Sequence, residues 1–442
     1  MHNPLEDRRI GLLLLKLSLP SFMGMAVMAL YNVMGTIFIG RAVGPLGIAA
    51  LSVVFPLQMF FAGLGEMVGM GGASLVSRAL GERDMEKAQY ALGNAWLSVF
   101  CLSILVMVLG LSFDEPLGHI LGGQGNYSHL VLEYLRVVFC AGLLQFTPMV
   151  LAHLIRSEGN ARWPMAAMVT SALLNIGLDA FFILKLKMGI KGAAYAMVIS
   201  QFVSLVILSS YYILGKSFVK PALWALWPRS EILGSIFAVG VSSLARTLVG
   251  SLSAVFVNRT LVLYGGELSL SAFGILNRLA MLAIMPSIAI GNGLQPILGF
   301  NYGARRKKEA LRALWLSAMA TFGIGLGVSL LIYFFPRHLI SIFTKDTALI
   351  SLSLEASRKM FLALYLAGFS IMGSVVFQAL GKAKKAFLLA TARPALFMIP
   401  LVAILSHFYG TTGIWVSFPT TDTLSFLLAL VLILPVVKEL KG

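Results

Sequence analysis

The chain has 442 residues, of which 58% are hydrophobic and 12% are charged, and its mean hydropathy is +0.89. Soluble domains carry roughly 25% charged residues, so this composition excludes an ordinary soluble enzyme or binding domain and indicates a membrane protein. The formal net charge of +16 does not indicate a nucleic-acid partner, because most basic residues fall on one side of the predicted membrane.

Twelve apolar stretches approach or exceed the roughly 20 residues that cross a bilayer as a helix. Continuous apolar runs favour helices, whereas a β-barrel would give short alternating segments. The stretches lie at about 12–39, 46–74, 90–111, 130–155, 163–184, 189–215, 232–263, 268–293, 312–335, 357–380, 386–408 and 412–437. The predicted fold class is therefore all-α integral membrane, with twelve transmembrane helices.

The distribution of basic residues predicts the topology. Residues 1–9 are polar, and the apolar run that follows is too long for the core of a signal peptide, so no cleaved signal is expected. If the N-terminus is cytoplasmic, 22 of the 34 Lys and Arg residues, Arg393 among them, fall in cytoplasmic segments. This bias predicts a multi-pass protein of the inner (plasma) membrane with both termini in the cytoplasm, where basic segments contact anionic lipids.

Glycines in the two halves of the chain recur at one offset of 222 residues (266−44, 303−81, 381−159). They are the pairs Gly44 and Gly266, Gly81 and Gly303, and Gly159 and Gly381. Six helices per half is an even number, so both halves have the same orientation. The repeat predicts an N-lobe at 1–215, a cytoplasmic linker at 216–230 and a C-lobe at 231–442, with substrates binding between the lobes.

Several segments, in order along nearly the whole chain, resemble motifs of the multidrug and toxic compound extrusion (MATE) family. They are residues 31–32 with 36–40, 71–78, 156–160, 175–179, 192–194 and 295–304. The resemblance points to the bacterial and archaeal DinF- or MepA-like branch. It implies a monomeric, two-lobed exporter that alternates between outward- and inward-facing states. Family members couple export of amphipathic, often cationic, compounds to the inward flow of Na⁺ or H⁺.

Acidic residues deep in a bilayer are costly and are therefore candidates for function. Asp179 lies 17 residues after Arg162 and 6 before Lys185 (179−162, 185−179), in the outer half of the fifth predicted helix. Asn175 lies four residues earlier, on the same helix face. A carboxylate beside an amide can bind a proton or help to coordinate a small cation, and the family's N-lobe cation site has an aspartate and an asparagine at these positions. The alternative is an aspartate that reaches the outer surface or caps a neighbouring helix.

The chain departs from the family pattern at two positions. Gly35 stands where the first-helix motif carries an aspartate, and Met197 stands where a threonine is expected on the sixth helix. Na⁺ is a hard cation that prefers several oxygen ligands, whereas a proton needs one carboxylate. Because two oxygen donors are missing, we expect H⁺, and less readily Na⁺, to be the coupling ion, with Asp179 as its carrier.

Two further acids lie within predicted helices. Glu66, near mid-membrane on the second helix, replaces the missing carboxylate or forms an ion pair or hydrogen bond at the lobe interface. Asp422, on the twelfth helix, lines the C-lobe or caps a broken helix. Arg246, on the seventh helix, attracts an anionic group or satisfies helix-end carbonyls. The predicted lining of the substrate cavity is Tyr31, Asn32, Gly35, Tyr195, Met197, Arg246, Asn258 and Asp422.

These patterns predict a secondary active exporter that exchanges small amphipathic compounds for H⁺. The sequence shows no nucleotide-binding domain, hydrolytic constellation or metal cluster, so neither an enzyme nor a cofactor other than the coupling ion is expected. Two alternatives remain open. One is a flippase for lipids or lipid-linked oligosaccharides, and the other is a membrane scaffold or sensor that transports nothing.

Overall fold

The structure is a computed structural model that describes residues 3–120 and 128–441. Over these ranges it is helical and contains no β-strand. The α-helices are α1 (Ile10–Ala42), α2 (Pro45–Glu82), α3 (Met85–Ser112), α4 (Asp114–Ile120), α5 (Ser128–Cys140), α6 (Gly142–Ser157), α7 (Arg162–Asp179), α8 (Gly189–Ile213), α9 (Ser230–Gly303), α10 (Lys307–Phe334), α11 (Pro336–Ser341), α12 (Thr347–Met360), α13 (Leu364–Ala379), α14 (Ala383–Thr391) and α15 (Ile399–Lys441). Short π-helices, Ala180–Lys185 and Ala392–Met398, continue α7 and α14.

Several membrane crossings are broken or bent. Gly266 (φ 65°) divides α9 into two crossings. Gly410 (φ 57°) interrupts α15, so one crossing consists of α14, the π-helix Ala392–Met398 and the start of α15, and the next consists of the rest of α15. Glycine reaches this left-handed region at little cost, which lets the chain reverse there. The pairs α5–α6 and α12–α13 are bent by 58° and 56° and count as one crossing each. Counted in this way, the described residues contain twelve crossings, and the predicted all-helical fold is confirmed.

The internal repeat is visible in the backbone. Residues 222 apart share a positive φ in the pairs Gly44 and Gly266 (80° and 65°), Arg83 and Arg305 (61° and 56°), and Gly159 and Gly381 (86° and 70°). We keep the names N-lobe (1–215) and C-lobe (231–442) for the two predicted halves. Both termini lie at one end of the bundle, because Leu5 packs at Gly159 and Glu439 pairs with Lys382 at 2.7 Å, beside the equivalent turn. We call this the terminal end.

The two lobes are in close contact toward the terminal end. There α2 packs along the first part of α9 so closely that a Cβ at Gly71 would overlap the carbonyl oxygen of Ile236. A Cβ at Gly240 would likewise overlap the carbonyl oxygen of Met67. Glycine permits this approach of two helix backbones, as it does in many membrane bundles. The lobes are thereby closed on each other in this half of the molecule.

The segment between the lobes is anchored to the N-lobe by buried polar side chains. Asn94 donates to the carbonyls of Ala225 and Trp227, both at 3.1 Å. Glu158, just after α6, accepts from Ser217 Oγ at 2.8 Å and from the Phe218 N–H at 2.7 Å. Burial raises the pKa of Glu158 to about 7, although these donors stabilise its carboxylate. The linker is therefore held in place by a group that titrates near neutral pH.

Candidate functional site

Asp179 and Asn175 form a buried polar pair at the end of α7. Asp179 is only 4% exposed, and Asn175 lies one helical turn before it. In the amide orientation that satisfies both of its ends, Asn175 donates to Asp179 Oδ2 at 3.1 Å and accepts from the Met197 N–H at 3.2 Å. The structure thus brings together three of the residues that the sequence singled out, and joins α7 to α8 at this level.

Helix α1 faces this pair at Gly35. A Cβ placed on Gly35 would lie 3.4 Å from Asp179 Oδ2. Tyr31 lies one turn earlier on α1 and is half-buried. Asn32 is exposed and donates to the carbonyl of Met28 at 2.9 Å on its own helix. Of the α1 residues predicted to line the cavity, Gly35 adjoins the carboxylate, and Tyr31 lies close enough to Asp179 to interact with it electrostatically.

Two polar residues beside this pair escaped the sequence analysis. The hydroxyl of Tyr134 on α5 accepts from Gln58 Nε2 of α2 at 2.7 Å and donates to Met197 Sδ at 3.6 Å. Only their uncharged polar character within apolar helices could have indicated them. One oxygen of the site remains unmatched, because Asp179 Oδ1 is buried and has no hydrogen-bond partner among the described residues. An unpaired carboxylate oxygen of this kind can bind a proton or help to coordinate a small cation.

Glu66 lies at the lobe interface. Its Oε2 is 2.7 Å from Arg246 Nη2, so the ion pair joins α2 of the N-lobe to α9 of the C-lobe. Both side chains are about three-quarters buried, at 25% and 27% exposure. Of the roles predicted for Glu66, the structure therefore shows the ion pair at the lobe interface. Arg246 is bound to this carboxylate.

Asp422 lies in the C-lobe, where Arg393 Nε approaches its Oδ1 at 2.7 Å. Counting Arg393 among the cytoplasmic basic residues was wrong, because it lies 12 residues (393−381), or about 18 Å, beyond the turn at Gly381, inside the π-helix that follows α14.

The pair of Arg393 and Asp422 borders a cavity of about 420 Å³. The cavity is lined by Met25, Asn277, Ala280, Met281, Ile284, Met285, Ile288, Met360, Phe361, Leu364, Arg393, Phe418 and Asp422.

Two predicted cavity residues stand apart from both polar sites. Tyr195 on α8 is 41% exposed, and Asn258 on α9 is half-buried. Neither makes a side-chain hydrogen bond within 3–120 or 128–441. Their assignment to the substrate cavity stays a prediction.

The family model MatE matches residues 20–181 and 238–404 of the chain. Among curated proteins, the chain is 24% identical over 418 residues to the multidrug export protein MepA of Staphylococcus aureus, covering 94% of this chain and 92% of that protein. It is 25% identical over 419 residues to MepA of Staphylococcus saprophyticus, with the same coverage of 94% and 92%. Both similarities extend through the two lobes.

Solved structures of similar sequence share the whole fold. One is a crystal structure of a MATE protein in complex with MaL6, with a TM-score of 0.94, 26% identity and full coverage of both chains. Another is a multidrug resistance MATE family transporter in its outward-facing conformation, with a TM-score of 0.93, 27% identity and coverage of 99% and 98%. A third is a transporter from Pyrococcus furiosus described as having a binding pocket of reverse polarity, with a TM-score of 0.92, 27% identity and coverage of 100% and 98%.

Proposed function

The chain belongs to the MatE family of membrane transporters, and from that premise we propose that it exports small amphipathic compounds in exchange for H⁺. Its relatives are named multidrug export proteins and cover nearly its full length. The apolar, methionine-rich interior suits substrates of varied shape, because methionine side chains adapt to different partners. The export direction rests on the predicted topology, with the terminal end in the cytoplasm.

The observation that carries the choice of H⁺ is the chemistry around Asp179. One carboxylate oxygen accepts from Asn175, and the other is buried without a partner among the described residues. Na⁺ would need further oxygens, but Gly35 contributes no side chain and Met197 contributes sulfur. The amide oxygen of Asn175 is already engaged by the Met197 N–H. A single proton neutralises the buried carboxylate of Asp179 without requiring any further oxygen ligand.

The proposed cycle follows from this site and from the closure of the lobes. With the terminal end closed, the cavity between the lobes opens toward the opposite side, where substrate leaves and Asp179 takes up a proton. Protonation removes the buried charge beside α1 and alters the hydrogen bond with Asn175. The N-lobe helices then rearrange, the lobes rock to expose the cavity to the cytoplasm, and the proton is released there.

Ethidium efflux from proteoliposomes under imposed gradients tests the proposal. We expect efflux to be driven by a pH gradient, to be unaffected by a Na⁺ gradient, and to be lost in Asp179→Asn. The matched control is Asp7→Asn, which removes a partly exposed aspartate outside the membrane and leaves efflux unchanged. Full activity of Asp179→Asn, or efflux driven by Na⁺ alone, contradicts the assignment.

The same assay tests the two alternatives, a lipid flippase and a membrane scaffold or sensor that transports nothing. The flippase hypothesis draws on Arg246 and Arg259 as partners for a phosphate, and Arg246 is paired with Glu66. No ethidium efflux under any gradient, together with movement of a fluorescent anionic lipid across the bilayer, would favour a flippase. A protein that is stabilised by a ligand but moves neither compound would favour a scaffold or sensor.

A further inference from the structure

The cavity in the C-lobe combines an apolar body with one accessible charge. Its volume of about 420 Å³ falls in the range of small-molecule sites. Four of its lining residues are methionines, namely Met25, Met281, Met285 and Met360. Met25 comes from α1 of the N-lobe, so the cavity is walled by both lobes. Such a lining accepts apolar groups of different shapes.

The charge that faces the cavity is the guanidinium of Arg393. Asp422 also borders the cavity but is 2% exposed, whereas the Arg393 side chain is 29% exposed, so the guanidinium is the more accessible of the two charges. Arg393 uses Nε to reach Asp422. Its two terminal nitrogens, Nη1 and Nη2, make no hydrogen bond to any residue that the structure describes. The terminal N–H groups are free donors of the type that bind carboxylate and phosphate in a forked geometry.

The corresponding place in the N-lobe shows that the fold does not need an ion pair there. Ser171 precedes Arg393 by the repeat offset of 222 (393−171). Its Oγ donates to the backbone carbonyl of Ser200 on the following helix at 3.0 Å. The same pair of helices is thus joined by a neutral hydrogen bond in one lobe and by buried charges in the other. A buried ion pair is seldom better for stability than neutral packing, so its presence calls for another reason.

We infer that the C-lobe cavity is a second ligand site, which binds amphipathic anions through their carboxylate, sulfonate or phosphate group at Arg393. Asp422 holds the guanidinium in place by accepting from Nε. The terminal nitrogens Nη1 and Nη2 are then free to bind the ligand. The apolar part of the ligand packs against the methionines and Phe361. This site is separate from Asp179, and binding there does not depend on how transport is coupled.

Binding of a matched series of pyrene probes to the full chain in nanodiscs of neutral lipid tests the inference. The series is 1-pyrenebutyrate, the neutral 1-pyrenebutanol and a trimethylammonium analogue of similar length. Binding is read as energy transfer from the tryptophans of the protein, with empty nanodiscs as the blank. We expect the carboxylate to bind at least about tenfold more tightly than the alcohol, which corresponds to one charge-assisted hydrogen bond. Tighter binding of the cation than of the carboxylate overturns the inference.

The variants separate a ligand site from a structural ion pair. Arg393→Gln alone leaves a buried, unpaired Asp422 and can unfold the protein, so the main variant is the neutral pair Arg393→Gln with Asp422→Asn. We expect this double variant to bind the alcohol as the wild type does and to lose the tenfold preference for the carboxylate. Arg259→Gln, which removes an exposed arginine on α9, is the matched control and keeps the preference. A double variant that keeps the preference contradicts the inference.

The source of the natural anion is tested by changing the lipid. If anionic lipid headgroups occupy the site, adding phosphatidylglycerol to the nanodiscs weakens pyrenebutyrate binding to the wild type and leaves the double variant unaffected. If the site takes soluble amphipathic anions, the lipid composition has the same small effect on both proteins. Once the double variant has lost the carboxylate preference, the first result assigns the site to lipid headgroups and the second to soluble anions, whereas displacement by lipid that is equal and large in both proteins contradicts an anion at Arg393.

Discussion

Gly35 and Asp179 face each other across the contact between α1 and α7, with 3.4 Å between the position of a Cβ on Gly35 and Asp179 Oδ2. This distance is ordinary van der Waals contact, so a Cβ at residue 35 would touch the carboxylate without displacing it. A carboxylate introduced at residue 35 would therefore adjoin the carboxylate of Asp179. Restoring a carboxylate at residue 35 therefore tests what the departure from the family pattern does to ion coupling.

We predict that Gly35→Asp makes transport responsive to Na⁺. A second carboxylate beside Asp179 adds oxygen ligands for a cation and makes it costly for both acids to be charged without one. One added charged ligand should tighten the apparent affinity for Na⁺ by about tenfold, or about 1.4 kcal/mol. The measurement is the Na⁺ dependence of ethidium efflux at fixed pH. Gly35→Asn, which has similar size and no charge, should leave efflux insensitive to Na⁺, and an equal Na⁺ response in both variants would refute the prediction.

We predict that Glu66 and Arg246 are energetically coupled across the lobe interface. Their ion pair is partly buried, so removing either charge should lower the apparent Tm, with a coupling energy of about 1 kcal/mol. The measurement is a double-mutant cycle on thermal unfolding, using Glu66→Gln, Arg246→Gln and the combined variant. The combined variant should be less destabilised than the sum of the single ones. Strictly additive effects would show that the pair contributes nothing to holding the lobes together.

The sequence predicted those features that depend on distance along the chain. Hydropathy located the twelve crossings, because a lipid-facing helix must be apolar over its whole length. The glycine repeat located the two halves, and two of its three glycine pairs, Gly44 with Gly266 and Gly159 with Gly381, share positive φ values. The i, i+4 spacing of Asn175 and Asp179 placed them together on one helix face. None of these inferences needed knowledge of which helices are neighbours.

What the sequence missed depends on how helices from distant parts of the chain are rotated and paired. Tyr134 and Gln58 meet Met197 because α5, α2 and α8 converge, and hydropathy carries no information about that convergence. Arg393 was placed in the cytoplasm because charge bias counts residues near helix ends and ignores which face they occupy. Its partner Asp422 lies on a different crossing, 29 residues later (422−393). Polar contacts between crossings therefore needed the structure.

We predict that Glu158 makes the stability of the protein depend on pH. Its pKa is raised by burial to about 7 from 4.5, so the folded state favours the protonated form more than the unfolded state does. Stability from this group is fully present below pH 4.5 and is lost as the pH rises through 7, by up to about 3 kcal/mol. The apparent Tm of the wild type should therefore fall between pH 5 and pH 8 more steeply than that of Glu158→Gln.

A nearby exposed glutamate provides the control for Glu158. Glu86 pairs with Arg229, where the linker meets α9, at 3.3 Å, and its side chain is 65% exposed. Glu86→Gln should leave the slope of Tm against pH unchanged, because an exposed pair is weak and screened. If both variants flatten the slope equally, or neither does, burial of Glu158 is not the cause of the pH dependence.

We predict that the closed terminal end depends on the absence of a side chain at Gly240. A Cβ there would overlap the carbonyl oxygen of Met67, which belongs to the α2 backbone and cannot rotate away. Gly240→Ala should force α2 and α9 apart at a cost of about 1–3 kcal/mol, lowering both the apparent Tm and the rate of efflux.

Gly250→Ala provides the control for Gly240→Ala. Gly250 lies on the same helix at a position where a Cβ meets no other group within 4 Å, so this variant should behave as the wild type. Gly71→Ala, which meets the Ile236 carbonyl from the other lobe, should reproduce the effect of Gly240→Ala. Equal behaviour of Gly240→Ala and Gly250→Ala would mean that this approach of the two backbones is not what closes the lobes.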